Sequence, residues 1–402
     1  MIAGHQVDDA MFSYIAQNID ADTCKLLLKA EPQLSFDKSF AITQIDCRRK
    51  SINKIPDLLS HVRFLFPKPI SAEQCTHQLV AQFHASLFDP DDGVLDMTMG
   101  LGVDDYYICQ RVKSVTAIEI DNEIAAVGKH NFSFLSTNVE VIHGDSVEYL
   151  ENLDISKKFD SIFIDPARRS NTGKRLYGLC DCLPDVISLL PLIKKHCTSL
   201  FIKASPMLDV AQSVRDLDGG LTDIWAVSIK NECKELFFKL DFKKETSPIN
   251  LHAINHNGED WIEFSTNYSP ISYQEKHVLI TPGSYLYEPN SSIMKLGCYQ
   301  DVERAFNAYQ ISKNSHLIVS DKLLSDFPGR QFSVVEVIPF KDKEIKQLQK
   351  QIKQANIATR NFRLKADVLR KRLGINEGGD IYIFATTLST GQQVLILCKK
   401  II

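Results

Sequence analysis

Between Gly93 and Asp241 apolar residues fall into short blocks, and most blocks close on an acid or a glycine. Val94-Leu95-Asp96 leads into Met97-Thr98-Met99-Gly100-Leu101-Gly102, and residues 112–118 lead into Glu119. The block 139–143 is followed by Gly144-Asp145-Ser146, the block 159–164 by Asp165-Pro166, and a fifth block spans 199–204. These blocks are apolar on both faces and alternate with segments of helical spacing, which predicts a mostly parallel sheet covered on both sides. Residues 224–229 and 235–242 read as a closing pair of strands. The fold class is therefore α/β, doubly wound. Open sheets of this kind bind ligands outside the carboxyl ends of their strands, so the terminal acids and glycines should converge on one crevice.

The flanks follow other patterns. Residues 8–59 have helical apolar spacing (Ile15, Ile19, Leu26, Leu27, Leu28), which predicts a helical domain over 1–65. Phe66-Pro67-Lys68-Pro69-Ile70 reads as a stiff linker, because each proline fixes its own φ and extends its predecessor. Ser71 is a candidate cap for a helix over 72–87, with Gln74 at the capping-box position. The doubly wound domain spans 66–246. Beyond Ser247-Pro248 short strands are expected at 261–264, 278–280, 317–319, 332–338, 381–386 and 394–397, with helices at 291–306 and in the basic stretch after Lys341. That pattern predicts smaller α+β domains over 247–330 and 331–402.

With 44% hydrophobic and 24% charged residues the composition is that of a soluble globular protein. No apolar run approaches the roughly 18 residues of a membrane span, and residues 1–9 lack the pattern of a signal peptide. A cytoplasmic protein without a membrane partner is expected. Ten cysteines without a Cys-x-x-Cys pair read as free thiols. His252 and His256 lack a third ligand, so no metal site is expected.

The net charge of -4 hides an uneven distribution. From Lys341 to Arg372 there are eleven basic residues and three acidic ones. Ile345, Leu348, Ile352 and Ala355 give one face of this stretch helical spacing, which leaves Lys346, Lys350 and Lys353 on the others. Such a face suits a polyanion, and RNA is the expected partner; a well-solvated helix is the simpler alternative.

Gly100 and Gly102 let the backbone approach a ligand closely, although a strand-to-helix turn is also ordinary structural punctuation. Two phosphate-binding loops are excluded. A P-loop needs Gly-Lys-Ser/Thr where Gly102-Val103-Asp104 stands, and the dinucleotide fingerprint needs a small residue where Asp105 stands. Carboxylates at Asp104 and Asp105 would repel a pyrophosphate, so the loop suits a ligand without phosphates.

Taken in order, the four strand-end motifs resemble those of class I S-adenosylmethionine-dependent methyltransferases, over roughly residues 71–242. The resemblance implies a Rossmann-like domain with S-adenosylmethionine as cofactor. It implies that Gly100 and Gly102 accommodate the methionine part, with Asp96 near its amino group. Glu119 would accept from the ribose hydroxyls, and Asp145, with Ser146 beside it, would hold the adenine amine. Asp165-Pro166-Ala167-Arg168-Arg169 stands where the family keeps its substrate motif, Asp/Asn-Pro-Pro followed by an aromatic. Ala167 and Arg168 depart from it, which leaves exocyclic-amine chemistry open. The resemblance makes Asp165, Pro166 and Arg168 the catalytic candidates and Arg169 a substrate contact. The carboxyl-terminal motifs, Tyr285-Leu286-Tyr287-Glu288-Pro289-Asn290 and residues 378–387, resemble a bacterial family of methyltransferases with a ferredoxin-like insert and a terminal THUMP-like domain. An RNA methyltransferase acting on tRNA or rRNA is the leading expectation. A methyltransferase of a small molecule or protein, and a non-catalytic RNA-binding protein of the same fold, are the alternatives. The oligomeric state is not legible.

Overall fold

The computed structural model describes residues 1–29, 34–168, 178–217, 219–244, 248–269 and 278–401. The chain divides into two compact units, one of residues 1–222 and 237–247, the other of 223–236 and 248–402.

The first unit opens with helices α1 (Asp9–Gln17), α2 (Thr23–Leu28), α3 (Lys38–Ser51) and α4 (Pro56–Ser60). Asp8, Asp22 and Asp37 cap the first three by accepting backbone N–H groups of the first turn. Two amides staple the segment that follows. Gln44 exchanges two hydrogen bonds with the backbone of Phe66, at 3.0 and 2.8 Å, and Asn131 exchanges two with Leu65, both at 3.0 Å.

The helix expected over 72–87 is in fact two. Helix α5 (Pro69–Gln74) begins earlier, with Pro69 in the first turn where no N–H is missed, and α6 (Gln78–Ser86) starts after His77. Ser71 therefore lies inside a helix and is not its cap. The break has a cause in tertiary structure: Thr76, between the helices, is buried and bonded to Asp104 and Lys203.

The αβ repeat then runs β1 (Gly93–Asp96), α7 (Val103–Ile108), β2 (Ser114–Glu119), α8 (Asn122–Leu135), β3 (Val139–His143), α9 (Ser146–Asn152) and β4 (Phe159–Ile164). After the short β5 (Ala167–Arg168) and β6 (Cys182–Leu183) come α10 (Val186–His196), β7 (Cys197–Ala204), α11 (Val210–Asp216), β8 (Leu221–Ile229) and β9 (Glu232–Asp241). Strand order in the first unit is β9-β7-β4-β1-β2-β3, with β1 parallel to both β2 and β4. Chain order reverses beside β1, since β2 and β3 lie on one side and β4 and β7 on the other. That reversal is the switch point at which such sheets open a crevice.

In the second unit β10 (Asn250–His256) pairs parallel with β8 and antiparallel with β11 (Trp261–Asn267). It continues through β12 (Tyr285–Pro289), α12 (Ser291–Leu296), α13 (Tyr299–Phe306), β13 (Tyr309–Gln310), β14 (Ile318–Ser320) and β15 (Gly329–Pro339). The chain ends with α14 (Asp342–Gln351), β16 (Asn356–Arg360), α15 (Ala366–Leu373), β17 (Ile381–Thr387) and β18 (Gln393–Lys400). These strands form a seven-stranded sheet of order β13-β14-β12-β15-β18-β17-β16.

Three expectations for this unit are corrected. Residues 278–280 form no strand, although Ile280 is buried. The helix expected over 291–306 breaks at Gly297, whose φ of 69° ends α12 in the left-handed region. The single basic helix is α14 and α15 with a strand between them. Asn356 to Arg360 pair parallel with β17, so backbone pairing overrides a pattern read as helical. No helix among the described residues is long and apolar enough to cross a membrane.

Candidate active site

Beyond Asp96 the backbone of the glycine loop is sewn to both neighbouring strands. Met97 N–H donates to Phe163 O and Met99 N–H to Ile118 O, each at 3.0 Å. Gly100 and Gly102 have φ of 57° and 75°. At Gly102 a Cβ would lie 2.7 Å from the ring of Phe132, so conformation and space both require glycine there.

The strand-end acids gather around this loop. Glu119, 8% exposed, accepts Gly100 N–H on one oxygen at 2.9 Å and Asp121 N–H on the other at 2.8 Å. Gly144 N–H donates to the Glu119 carbonyl at 3.0 Å, which sets the end of β3 beside the end of β2. Asp145, next along, caps α9 by accepting Val147 N–H at 2.8 Å, and Ser146 behind it is buried. Asp121 caps α8 and takes the ammonium of Lys68 at 2.6 Å, which ties the start of α5 to the same edge. Asp96 is buried and accepts Thr98 N–H at 2.7 Å, while Thr98 Oγ1 accepts Asp165 N–H at 2.7 Å. Thr98 thus links the acid of β1 to the acid after β4.

Asp104 and Asp105 differ from the sequence reading. Both are buried, so neither is an exposed repulsive charge at the helix start. Asp104 accepts from Thr76 Oγ1, lies 2.8 Å from His84 Nδ1, and lies 3.4 Å from Lys203 Nζ. Burial pushes its carboxyl up, but Lys203, His84 and Thr76 outweigh burial and hold it well below the usual carboxylate range. Asp105 is wholly buried, with the carboxyl of Asp96 as its hydrogen-bonding neighbour and no backbone N–H or hydroxyl donor on either oxygen among the described residues. Burial, with the charges of Asp96 and Asp104, drives Asp105 well above the usual range. Burial, opposed by Thr98 N–H and reinforced by Asp104, lifts Asp96 to about 7. Two carboxyls in one dry space cannot both ionise, so Asp96 and Asp105 share a proton at neutral pH.

Lys203, from the end of β7, was not a sequence candidate. Only 9% exposed, it reaches Thr76 Oγ1 and Asp165 Oδ2, both at 2.6 Å. The signal was there: a lysine inside the apolar run Leu200-Phe201-Ile202-Lys203-Ala204 must find charged partners once buried. His84, stacked on Phe237 with centroids 4.2 Å apart, was likewise overlooked.

Asp165 is the accessible end of this charge chain, its side chain 41% exposed. Beside it a cleft is lined by Pro166, Asp181, Cys182, Ala204, Ser205 and Leu208. The backbone of Arg168 pairs with Cys182 in a two-residue antiparallel ladder, while Arg169 lies outside the described residues. In the second unit Lys346 and Lys350 are exposed on α14. Lys353 lies past the helix end and donates to Gln349 O at 2.6 Å. Ile345, Leu348, Ile352 and Ala355 are all buried in one cluster, although only the first two are helical. His252 sits on β10 between Asp223 at 3.1 Å and Glu263 at 3.3 Å.

Comparison with known proteins bears on the fold class. Residues 72–168 match the family model of ribosomal RNA adenine dimethylase, 285–328 a ferredoxin-like domain, and 329–400 a THUMP domain-like family. A candidate methyltransferase of Porphyromonas gingivalis W83 superposes with a TM-score of 0.88 at 29% identity, covering 98% of each chain. Partial likenesses include a candidate RNA methyltransferase of Pyrococcus horikoshii (TM-score 0.30, 15% identity, 41% of this chain and 83% of that one). Another is a candidate methyltransferase of Streptococcus mutans in complex with SAH (TM-score 0.30, 14% identity, 41% of this chain and 96% of that one). No curated protein matches the sequence. The chain is thus of the methyltransferase class, with a Rossmann-like domain. Within that class it belongs with the proteins that add a ferredoxin-like and a THUMP-like domain to the catalytic one.

Proposed function

We propose that the protein binds S-adenosylmethionine at the β1–β3 edge and transfers its methyl group to RNA in the cytoplasm. The observation that carries this reading is Glu119. Each of its oxygens holds one backbone N–H, and a carboxylate oxygen accepts twice, so a lone pair on each is left for a vicinal diol. The space suits a nucleoside. A Cβ on Gly100 would meet nothing nearer than Thr98 O at 3.9 Å, and one on Gly144 nothing within 4 Å.

When bound, the cofactor supplies an electrophilic methyl group on a cationic sulfonium. The chain's own residues bind and align. Glu119 accepts from ribose hydroxyls, Asp145 and Ser146 take the adenine amine, and Gly100, Gly102 and Asp96 shape the methionine end. Asp165, beside Pro166, accepts a hydrogen bond from the substrate nucleophile and sets its lone pair toward the methyl group. Alignment in a water-poor cleft supplies most of what such a transfer needs. Arg168 and Arg169 supply cationic contacts to a nucleic-acid backbone, as do Lys346, Lys350 and Lys353. RNA as substrate is supported by the matches to ribosomal RNA adenine dimethylase and THUMP-like models and by the basic stretch 341–372. The proposed division is a helical part over 1–65, the transferase over 66–246, a ferredoxin-like part over 247–330 and a THUMP-like part over 331–402.

Isothermal calorimetry with S-adenosylmethionine, followed by nucleoside mass spectrometry on total RNA from a strain lacking the protein, tests the reading. Micromolar binding that Glu119→Ala abolishes, with one methylated nucleoside missing, is expected. Binding indifferent to Glu119→Ala overturns the cofactor site, and an unchanged nucleoside profile overturns RNA as substrate.

A further inference from the structure

We propose that Arg363, stacked on Phe340, is a phosphate clamp through which the second unit grips the backbone of RNA. This rests on RNA as the substrate and adds to that reading a positioned contact, distinct from the solvated lysines of α14.

The clamp is built on a held aromatic ring. Phe340 follows β15 and Phe362 follows β16, and their rings meet edge to face with centroids 4.9 Å apart. Both are half-buried and pack on the core cluster that contains Ile338, Ile345 and Leu373. The guanidinium of Arg363 lies over Phe340 at 5.2 Å from the ring centroid, and that of Arg372 at 5.0 Å. The backbone beneath is tied down on both sides. Phe340 N–H donates to Gln393 O at 2.9 Å, and Thr387 Oγ1 donates to Asn361 O at 2.6 Å. Asn361 takes a left-handed φ of 50°, a conformation its short polar side chain tolerates, and so starts the turn that carries Phe362 and Arg363. Thr387 closes the sequence motif 378–387, to which the transferase chemistry assigns no task.

Stacking holds a guanidinium by its face and consumes none of its five N–H donors. Arg363 is exposed and donates to no acceptor among the described residues. Its neighbours are engaged elsewhere: Arg372 reaches Asp342 at 2.8 Å, and Arg370 faces Asp367 at 3.1 Å and Glu377 at 3.3 Å. Arg363 is therefore a cation fixed in place with its planar fork unspent, and such a fork matches two oxygens of a phosphodiester. Eleven basic against three acidic residues from Lys341 to Arg372 suit a chain that carries a charge on every unit, which favours RNA over an acidic protein. A solvated basic face would owe its affinity to the number of charges, and loss of an uncharged ring would leave that affinity unaltered.

The experiment is fluorescence anisotropy of a labelled RNA hairpin on the full-length protein at several salt concentrations, with unlabelled hairpin and polyglutamate as competitors. Phe340→Leu keeps every charge and should weaken binding by about 2- to 5-fold, with the salt slope retained. Arg363→Lys keeps the charge but loses the fork, and should weaken binding by about 3- to 10-fold. Arg363→Gln should in addition flatten the logarithmic salt slope by about 0.7 to 0.9. Because Arg363 is exposed, its variants should melt as the wild type does, and they carry the test if Phe340→Leu lowers the melt. Hairpin binding that these variants leave unchanged overturns the clamp. Polyglutamate that displaces the probe better than unlabelled hairpin assigns the fork to an acidic protein and overturns RNA as its ligand. No cofactor is present, so the result is separable from the transferase reading. Weakened binding in the variants beside an unchanged nucleoside profile in the strain lacking the protein upholds the clamp and sinks methyl transfer to RNA.

Discussion

The carboxylate of Glu119 accepts the backbone N–H of Gly100 at 2.9 Å, so the acid that ends β2 and the loop that follows β1 form one hydrogen-bonded body. Its other oxygen takes Asp121 N–H, which places Glu119 under the start of α8 as well. Removing it disturbs the fold and the proposed ribose contact together, and the two effects are separable.

Glu119→Ala strands two N–H groups, at a cost of about 1 to 3 kcal/mol of stability where no water replaces the carboxylate. Cofactor affinity should fall by more than tenfold. Glu119→Gln keeps one acceptor oxygen and should fall between wild type and Glu119→Ala on both scales. Calorimetry with S-adenosylmethionine gives the affinity and a urea midpoint gives the stability. Stability loss with intact affinity would separate Glu119 from the ligand.

The two glycines of the loop should respond differently. Gly102→Ala meets a left-handed φ and a ring 2.7 Å away, whereas Gly100→Ala meets the φ alone. The left-handed conformation costs about 1 to 2 kcal/mol, so Gly100→Ala should lose about that much and Gly102→Ala more, because Phe132 must move. Gly100→Ala should also weaken S-adenosylmethionine binding by intruding on the open side. Thermal melts of the two variants check the order, and equal losses would show that Phe132 yields freely.

The strand-end acids were legible because an apolar run that stops at a carboxylate and a glycine is a local signal, contained within a few residues. The charge chain beneath them was not, since Lys203 and Thr76 lie 127 positions apart and meet only through the fold. The same contact hid the break between α5 and α6: helical spacing over 72–87 was real, and tertiary bonding to Thr76 overrode it. In the second unit a run of lysines and arginines carried no period of its own. Its apolar residues satisfied a helix up to Gln351 and a strand from Asn356, and the two patterns merged when read as one. Asp104 and Asp105 were seen as charges but not as buried ones, because burial is decided by the helix face that packs on the sheet.

On the basic stretch, Lys346 and Lys350 are exposed, whereas Lys353 is engaged by Gln349 O. Lys346→Ala with Lys350→Ala should weaken RNA binding without altering the melt. The logarithmic salt slope should flatten by about 0.7 to 0.9 for each phosphate that is no longer neutralised. Lys353→Ala should change the slope less and destabilise the end of α14 slightly. Filter binding at several salt concentrations measures these slopes, and identical slopes in all variants would remove α14 from the RNA surface.

The proton shared by Asp96 and Asp105 has a consequence for stability. Both carboxyls are raised above the usual carboxylate range, Asp96 to about 7, chiefly by burial. A group raised in the folded state holds its proton there after the unfolded chain has released its own. Its stabilising contribution is therefore complete below about pH 4 and is lost as pH rises toward and through 7. Asp104 is lowered, and its contribution is lost only as pH falls below the usual carboxylate range. Between pH 5 and 8 the Asp96–Asp105 pair should therefore dominate the slope at this site, with the melting temperature falling toward alkaline pH. Asp105→Asn replaces the shared proton with a permanent amide donor of nearly the same shape. It should flatten the slope and raise the melting temperature at pH 8 relative to wild type. Melts of both proteins across this range decide the matter: parallel curves would mean that Asp96 and Asp105 do not hold a common proton.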